Sequence, residues 1–423
     1  MSTPTTTPTE SSFDITWVRE HFPAFQRVVN GHAAAFLDGP GGTQVPQRVI
    51  EAISDYLIRC NANTHGQYAT SRESDGVIAE AHQAMANFLN CDTDEVAFGP
   101  NMTTLTLALS RAIGRKLKAG DEIIVTRLDH SANVSPWVAL EELGVKILRV
   151  DINPDDCTLN LDDLKSKLNE RTKLVAAGYA SNAVGTINPV AEIARLAYHV
   201  GAWTFVDAVH YAPHGLIDVH KIECDFLACS PYKFFGPHSG VLYGKREHLK
   251  ALKPYKVRPA SNELPDAWET GTQNHECMAG VIAAVDYIAS IGQRASAQKL
   301  DRRSALVKAY AEIHSYEREL AKKLIAGLGQ IPNITLYGIR DPNQFDQRVG
   351  TVSIRIKGVS PHNAAKRLGD KGLFVWDGNF YALDLTERLG VESSGGLLRI
   401  GVLHYNTEEE IERLLSELRA IAA

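Results

Sequence analysis

The chain has 423 residues, 44% hydrophobic and 22% charged, which is ample for a large core and more than one average domain holds. A formal net charge of -6 offers no basic face to a nucleic acid, and no apolar run nears the roughly 18 residues a membrane-spanning helix needs. Six cysteines, with no CxxC pair, suit reduced thiols in a cytoplasmic protein better than a disulfide framework.

Residues 1–12, MSTPTTTPTESS, are polar and Thr/Pro-rich and read as a disordered tail. Residues 13–35 are taken as an N-terminal segment that packs with a small domain. From Val45 the chain alternates helical and strand-like segments. Val45 to Arg59 and Glu73 to Leu89 have helical periodicity. Glu95 to Phe98 predicts a short strand leading into a helix from Met102 to Leu117. Short apolar runs follow at Glu122 to Thr126, Lys146 to Val150, Leu174 to Tyr179, Thr204 to Val206, Phe226 to Cys229 and Gly240 to Tyr243. Helical stretches such as Val190 to Val200 separate most of them. This alternation predicts βαβ units and a mainly parallel sheet.

After Cys277 a long helical stretch, broken near Gly292, runs to about Leu328. Strands are expected at Arg348 to Ile356, Leu373 to Trp376 and Leu397 to Val402, with helices at Pro361 to Leu368 and Thr407 to Ala422. The expected division is a large α/β domain over residues 36–290 and a small α+β domain over 291–423.

In open parallel sheets ligands sit at the carboxyl ends of strands, and the unusual residues lie there. Lys233, in Ser230-Pro231-Tyr232-Lys233-Phe234, follows an apolar strand among aromatics, where desolvation lowers an amine's pKa and suits it to Schiff-base chemistry. Asp207 ends another apolar strand and could pair with a protonated pyridine nitrogen, keeping such a ring an electron sink. Met102 and Thr103 open a helix whose free N–H groups could take a phosphate. His130 follows the Glu122 strand, where an imidazole can stack on a flat ring. Asn182 follows the Leu174 strand and could donate to a phenolic oxygen. Each residue alone has an ordinary reading: a surface lysine, a turn asparagine, a loop histidine. His210, His214 and His220 could suggest zinc, but Pro213 and Gly215 break any helix that would align the first two, and no carboxylate stands at a ligand spacing. No metal site is expected.

Taken together, the five strand ends resemble the class V aminotransferase family, in its cysteine desulfurase-like branch, from about Phe36 to the C-terminus. The resemblance rests on Ser181 to Pro189 (SNAVGTINP), the strand-end Asp207, the SxxK box at Ser230 to Lys233, and Arg399 followed by Tyr405-Asn406-Thr407 and Glu408-Glu409. It implies a pyridoxal-phosphate (PLP) enzyme of fold type I, aspartate-aminotransferase-like, with a mainly parallel seven-stranded sheet. Lys233 would be the Schiff-base lysine, Asp207 the pyridinium partner and His130 the ring-stacking residue that also handles protons. Asn182 and His210, the latter where desulfurases usually have Gln, would touch the phenolic oxygen, and Met102, Thr103, Ser230 and Tyr232 would hold the phosphate. Thr272 would reach the phosphate of a neighbouring subunit, which implies a homodimer. Arg399 would bind the substrate carboxylate.

A desulfurase needs a cysteine thiolate on a mobile loop before that arginine. The corresponding stretch, Lys371 to Tyr381, has none; Cys277, near Thr272, is a weak substitute. Trp376, Asn379, Phe380 and Tyr381 would instead line the entrance. The expected activity is therefore lyase-type chemistry on a sulfur-containing or similar amino acid, with transamination, epimerisation and decarboxylation or carbon–carbon chemistry as alternatives. A non-catalytic role is the remote reading: regulators that use this fold attach it to a DNA-binding domain, and the residues before Phe36 are too few and insufficiently basic for one.

Overall fold

The computed structural model of the chain describes residues 13–423; the expected tail of residues 1–12 lies outside them. After a short helix at Ile15–Glu20, two longer helices precede the sheet, α1 (Gln47–Arg59) and α2 (Ala69–Leu89). Seven short strands then build a central sheet: β1 (Val96–Gly99), β2 (Glu122–Thr126), β3 (Lys146–Val150), β4 (Thr172–Gly178), β5 (Trp203–Asp207), β6 (Phe226–Cys229) and β7 (Gly240–Gly244). The interior strands are apolar and buried along nearly their whole length, as a sheet covered on both faces requires; β3, at one edge, is half exposed. Their order is β1-β7-β6-β5-β4-β2-β3. Every pair is parallel except those made by β7, which runs against both neighbours. Among the connecting helices, α3 (Met102–Gly114) and α4 (Val190–His199) follow β1 and β4.

The apolar stretch after the sheet forms α5 (His275–Arg294) and α6 (Arg302–Gly329). The two cross at Gly292, where a Cβ would lie 1.9 Å from the Ala305 carbonyl oxygen; a glycine is what permits that approach. Helix α6 serves two cores. Its first half (Ala305, Leu306, Ala309, Ile313) packs with the large sheet's helices, and its second half (Leu320, Leu324, Leu328) packs in a second core beneath a four-stranded antiparallel sheet. That sheet contains β8 (Ile334–Tyr337), β9 (Thr351–Ile356), β10 (Trp376–Gly378) and β11 (Leu397–Gly401), ordered β8-β9-β11-β10. Helices α7 (Pro361–Gly369) and α8 (Glu408–Ala422) complete it.

Three expectations are corrected here. Strand β8 carried no sequence signal that was read. The strand expected from Arg348 begins at Thr351, because Arg348 turns inward and its buried guanidinium donates to the carbonyls of Ile339, Val349 and Thr351. The single strand expected over Leu373 to Trp376 is two: Leu373–Phe374 pairs in parallel with Ala35–Phe36, and the chain then changes partner so that β10 runs beside β11.

The N-terminal segment touches both cores. The Phe22 ring lies 5.2 Å from that of Tyr405 and 5.3 Å from that of Tyr287, while Ala35 belongs to the second core. Among the described residues, no helix is long and apolar enough to cross a membrane.

Candidate active site

The carboxyl ends of the parallel strands open into one cavity of about 1020 Å³. The turn after β1, His130 beyond β2, Asn182 beyond β4, Asp207 at the end of β5 and Lys233 beyond β6 all line it, so the five strand ends singled out in the sequence meet in space. Antiparallel β7 contributes in another way. It starts at this end of the sheet, and its Gly240 lies where a Cβ would be 2.3 Å from the Asn101 carbonyl carbon, so the turn can settle directly on the strand.

That turn leads into α3, whose N-cap Asn101 accepts from the Thr104 N–H at 2.8 Å. The N–H groups of Met102 and Thr103 remain at the helix's positive end, a ready anion site. Lys233 is buried, with 8% of its surface exposed; its Nζ donates to the Pro40 carbonyl and lies 4.8 Å from the Tyr232 ring centre. Burial, helped by the nearby Arg399 charge, pulls its pKa down to about 7 against the pull of Asp207 and Asp38. Asp207 is buried too, and desolvation pushes its carboxyl up to about 6. One of its oxygens accepts from the Val209 N–H at 2.9 Å. A cation brought to this carboxylate would hold it ionised.

His130 accepts the Ala132 N–H on Nδ1 at 3.0 Å, which leaves Nε2 to carry the proton of a neutral ring. Burial and the charges of Lys233 and Arg399 lower its pKa to about 4. His210 is buried and desolvation holds its pKa far below the usual value; its Nε2 is 2.9 Å from Thr351 Oγ1. Asn182 donates through Nδ2 to the Phe380 carbonyl at 2.8 Å, while its buried Oδ1 has no partner. Arg399, 4% exposed, donates from Nη1 to the Asn182 carbonyl at 2.9 Å; its Nε is buried and unpartnered. Desolvation lowers this guanidinium's pKa to about 9.

These orphaned donors and acceptors, a lysine amine poised near neutrality, and a helix N-terminus together fit PLP: an aldehyde, a pyridine nitrogen, a phenolic oxygen and a phosphate each find a group of the right kind. Ser230 and Tyr232 also line the cavity, as do Trp376, Asn379 and Tyr381. Thr272 does not: it is exposed and stands outside the cavity of its own chain.

The class V aminotransferase family profile matches residues 35–414. The chain belongs to the class V aminotransferase family. A probable cysteine desulfurase of Halalkalibacterium halodurans is 32% identical over 417 residues, covering 95% of this chain and 96% of that protein. An aminotransferase-like protein of Gibberella zeae is 31% identical over 425 residues, covering 97% and 99%. Among solved structures, the apo cysteine desulfurase of Thermococcus onnurineus NA1 superposes with a TM-score of 0.85 at 27% identity, over 96% of this chain and 98% of that one. The E. coli cysteine desulfurase CsdA, an S-sulfonic acid form, has a TM-score of 0.82 at 25% identity over the same shares. The protein is thus a class V, cysteine desulfurase-like enzyme of PLP fold type I, and its cofactor is PLP.

Sequence reasoning missed several residues of this family member's cavity. Asp38, just ahead of cavity-lining Pro40 and Gly41, is half-buried with a buried, unpartnered Oδ1, and desolvation raises its carboxyl to about 6. Pro40 meets Lys233. The Gly/Pro-dense Asp38-Gly39-Pro40-Gly41-Gly42, directly after an apolar strand, was the available signal. Asp129 is fully buried and accepts from Gly178 N–H at 2.9 Å and Asn133 Nδ2 at 2.7 Å. Glu392 has no motif around it; its oxygens accept from Asn379 Nδ2 at 3.0 Å and Thr386 Oγ1 at 2.5 Å. Among the described residues, no group of three or more His, Cys, Asp or Glu is arranged to hold a metal ion.

Proposed function

We propose that the chain is a lyase that breaks a carbon–sulfur or related bond of a bound amino acid without carrying a persulfide on the protein. The observation that supports this reading is the state of the thiols. None of the six cysteines lines the cavity. Burial raises the pKa of each of them, Cys157 to about 11, whereas a persulfide carrier must attack as a thiolate. Cys277 on α5 is half-buried and its thiol is raised with the rest. The six free thiols also suit a reducing, cytoplasmic setting.

When bound, PLP supplies the electron sink for a bond broken at the substrate's α-carbon. The chain's own groups do the rest. Lys233 would hold the cofactor through its aldehyde and, as a free amine, would take or return a proton at Nζ, for which a pKa of about 7 is well matched. Asp207 keeps the ring nitrogen protonated. Neutral His130 would offer its ring face to the cofactor and holds a proton at Nε2. Asn182 has a second N–H for the phenolic oxygen, beside His210. Arg399 takes the substrate carboxylate with its unpaired edge. The N-terminus of α3, with Thr103 and Ser230, holds the phosphate. A second copy of the chain completes that phosphate site with its own Thr272.

The test is to incubate the holoenzyme with single L-amino acids, L-cysteine included, and identify the products. From cysteine and water a lyase yields sulfide, pyruvate and ammonia, with no cyanide-labile sulfur on the protein. Sulfane sulfur on a protein cysteine would overturn the reading. A keto acid that keeps the substrate's side chain, 3-mercaptopyruvate in the case of cysteine, would replace it with transamination, and carbon dioxide would replace it with decarboxylation.

A further inference from the structure

The segment from Asn379 to Tyr381 is tied into the site by its backbone. The Phe380 carbonyl accepts from Asn182 Nδ2, and the Tyr381 carbonyl accepts from both the N–H of Ser131 at 2.6 Å and its Oγ at 2.7 Å. Asn379 anchors the near end: its Nδ2 reaches Glu392, its Oδ1 accepts the Tyr381 N–H at 3.1 Å and its carbonyl accepts the Ala382 N–H at 2.8 Å. Phe380 and Tyr381 both sit at φ 58°, the left-handed region that side chains with a Cβ rarely occupy; two such residues in succession persist only where surrounding contacts over-determine them. The strain has a visible product. The Phe380 ring lies face-on to the Arg399 guanidinium, 4.2 Å from Cζ to the ring centre, while the Arg399 Nη1 is pinned to the Asn182 carbonyl.

A guanidinium held by a carbonyl at Nη1 and covered by an aromatic ring is restricted in how it can turn, and its Nε is left buried and unpartnered. The aromatic face also partly compensates a buried cation that, among the described residues, has no carboxylate within ion-pairing distance.

We propose that Phe380 is a positioning residue for substrate: its ring fixes the Arg399 guanidinium so that the free edge meets the α-carboxylate of the amino acid. This rests on the reading of Arg399 as the carboxylate site given above. The predicted consequence is selectivity for amino acids over the matching amines that is set jointly by the two residues, with the cofactor linkage at Lys233 untouched.

The test uses the holoenzyme and two probes, L-alanine and ethylamine, the latter lacking the carboxylate. Each is titrated against the cofactor's absorbance in the parent and in Phe380→Ala, Phe380→Tyr, Arg399→Ala and the Phe380→Ala/Arg399→Ala double variant. Phe380→Ala is expected to weaken L-alanine roughly tenfold and leave ethylamine and the resting absorbance unchanged, Phe380→Tyr to restore parental affinity, and the double variant to match Arg399→Ala. A loss for both probes alike, or an undiminished Phe380→Ala effect in the Arg399→Ala background, overturns the proposal in favour of simple wall packing. Failure of the underlying reading looks different: Arg399→Ala would then not discriminate between the two probes at all.

Discussion

Burial acts in opposite directions on Lys233 and Asp207, and both shifts serve the same end. Desolvation disfavours each charged form, bringing the amine down to about 7 and the carboxyl up to about 6. Lys233 is cationic below its pKa and neutral above it, so capture of PLP by the apoprotein should accelerate about tenfold per pH unit up to pH 7 and level off beyond. Stopped-flow absorbance against pH checks this; a rise that continues to pH 10 would mean an amine that is not desolvated. Lys233→Ala should lose on the order of a thousandfold in turnover and should no longer be labelled covalently by borohydride in the presence of cofactor. At this scale the sequence was readable where a residue's neighbours are its own strand and turn, as at Lys233, Asp207 and His130. Glu392 was not readable: its place in the cavity comes with contacts to Asn379 and Thr386 made only in the folded loop, and no motif around it marks them.

Among the elements, the β1–α3 turn depends on β7 beneath it. Gly240→Ala would drive a methyl group into the Asn101–Met102 backbone, its contacts at 2.3 to 2.7 Å all being main-chain atoms. The variant should cost roughly 1–3 kcal/mol of stability and, because the displaced atoms carry the anion site, weaken PLP binding more than it lowers the melting point of the apoprotein implies; cofactor titration beside thermal melting separates the two. The Tyr405-Asn406-Thr407 stretch acts in part as a helix start. Thr407 Oγ1 accepts the Glu410 N–H at 3.3 Å, Glu410 reaches back to the Thr407 N–H at 3.2 Å, and Glu410 also takes Asn406 and pairs with Arg19 at 3.0 Å. Thr407→Ala should cost about 1 kcal/mol, read by urea unfolding, with the substrate response unchanged. The SNAVGTINP loop is likewise partly scaffold: Asn188 donates to the Gly178 carbonyl at 2.7 Å, and at Gly185, φ 80°, a Cβ would meet the Thr351 carbonyl oxygen at 2.4 Å. Period-two and period-3.6 patterns reveal strands and helices inside one domain. They do not reveal a two-residue strand that trades partners, which is why Leu373 to Trp376 was read as one piece.

For the whole molecule, the expected second copy bears on completeness of the site. Thr272 is exposed beside α5, and α1 presents Leu57 and Ile58 at 48% and 79% exposure, apolar surface suited to burial against another chain. Sedimentation should give a dimer. Mixing Lys233→Ala and Thr272→Ala chains tests the shared site directly: each homodimer should bind cofactor poorly, whereas a hybrid pairs an intact Lys233 with an intact Thr272 and should regain one strong site per dimer. Equal weakness in hybrid and parents would place Thr272 outside the phosphate contact. The alternation of strands and helices made the large sheet legible, since a parallel sheet dictates its own connections; an interface between copies leaves no such periodic trace.

Helix α6 reaches from the core under the large sheet to the core under the small one without a break. A continuous rod rooted at both ends has no soft joint in it, so the two lobes are mechanically one object along that spine. Access for an incoming amino acid therefore falls to the lips of the pocket instead of a swing of one lobe against the other. Heating in a calorimeter should release both lobes in a single endotherm, and neither should survive being expressed alone.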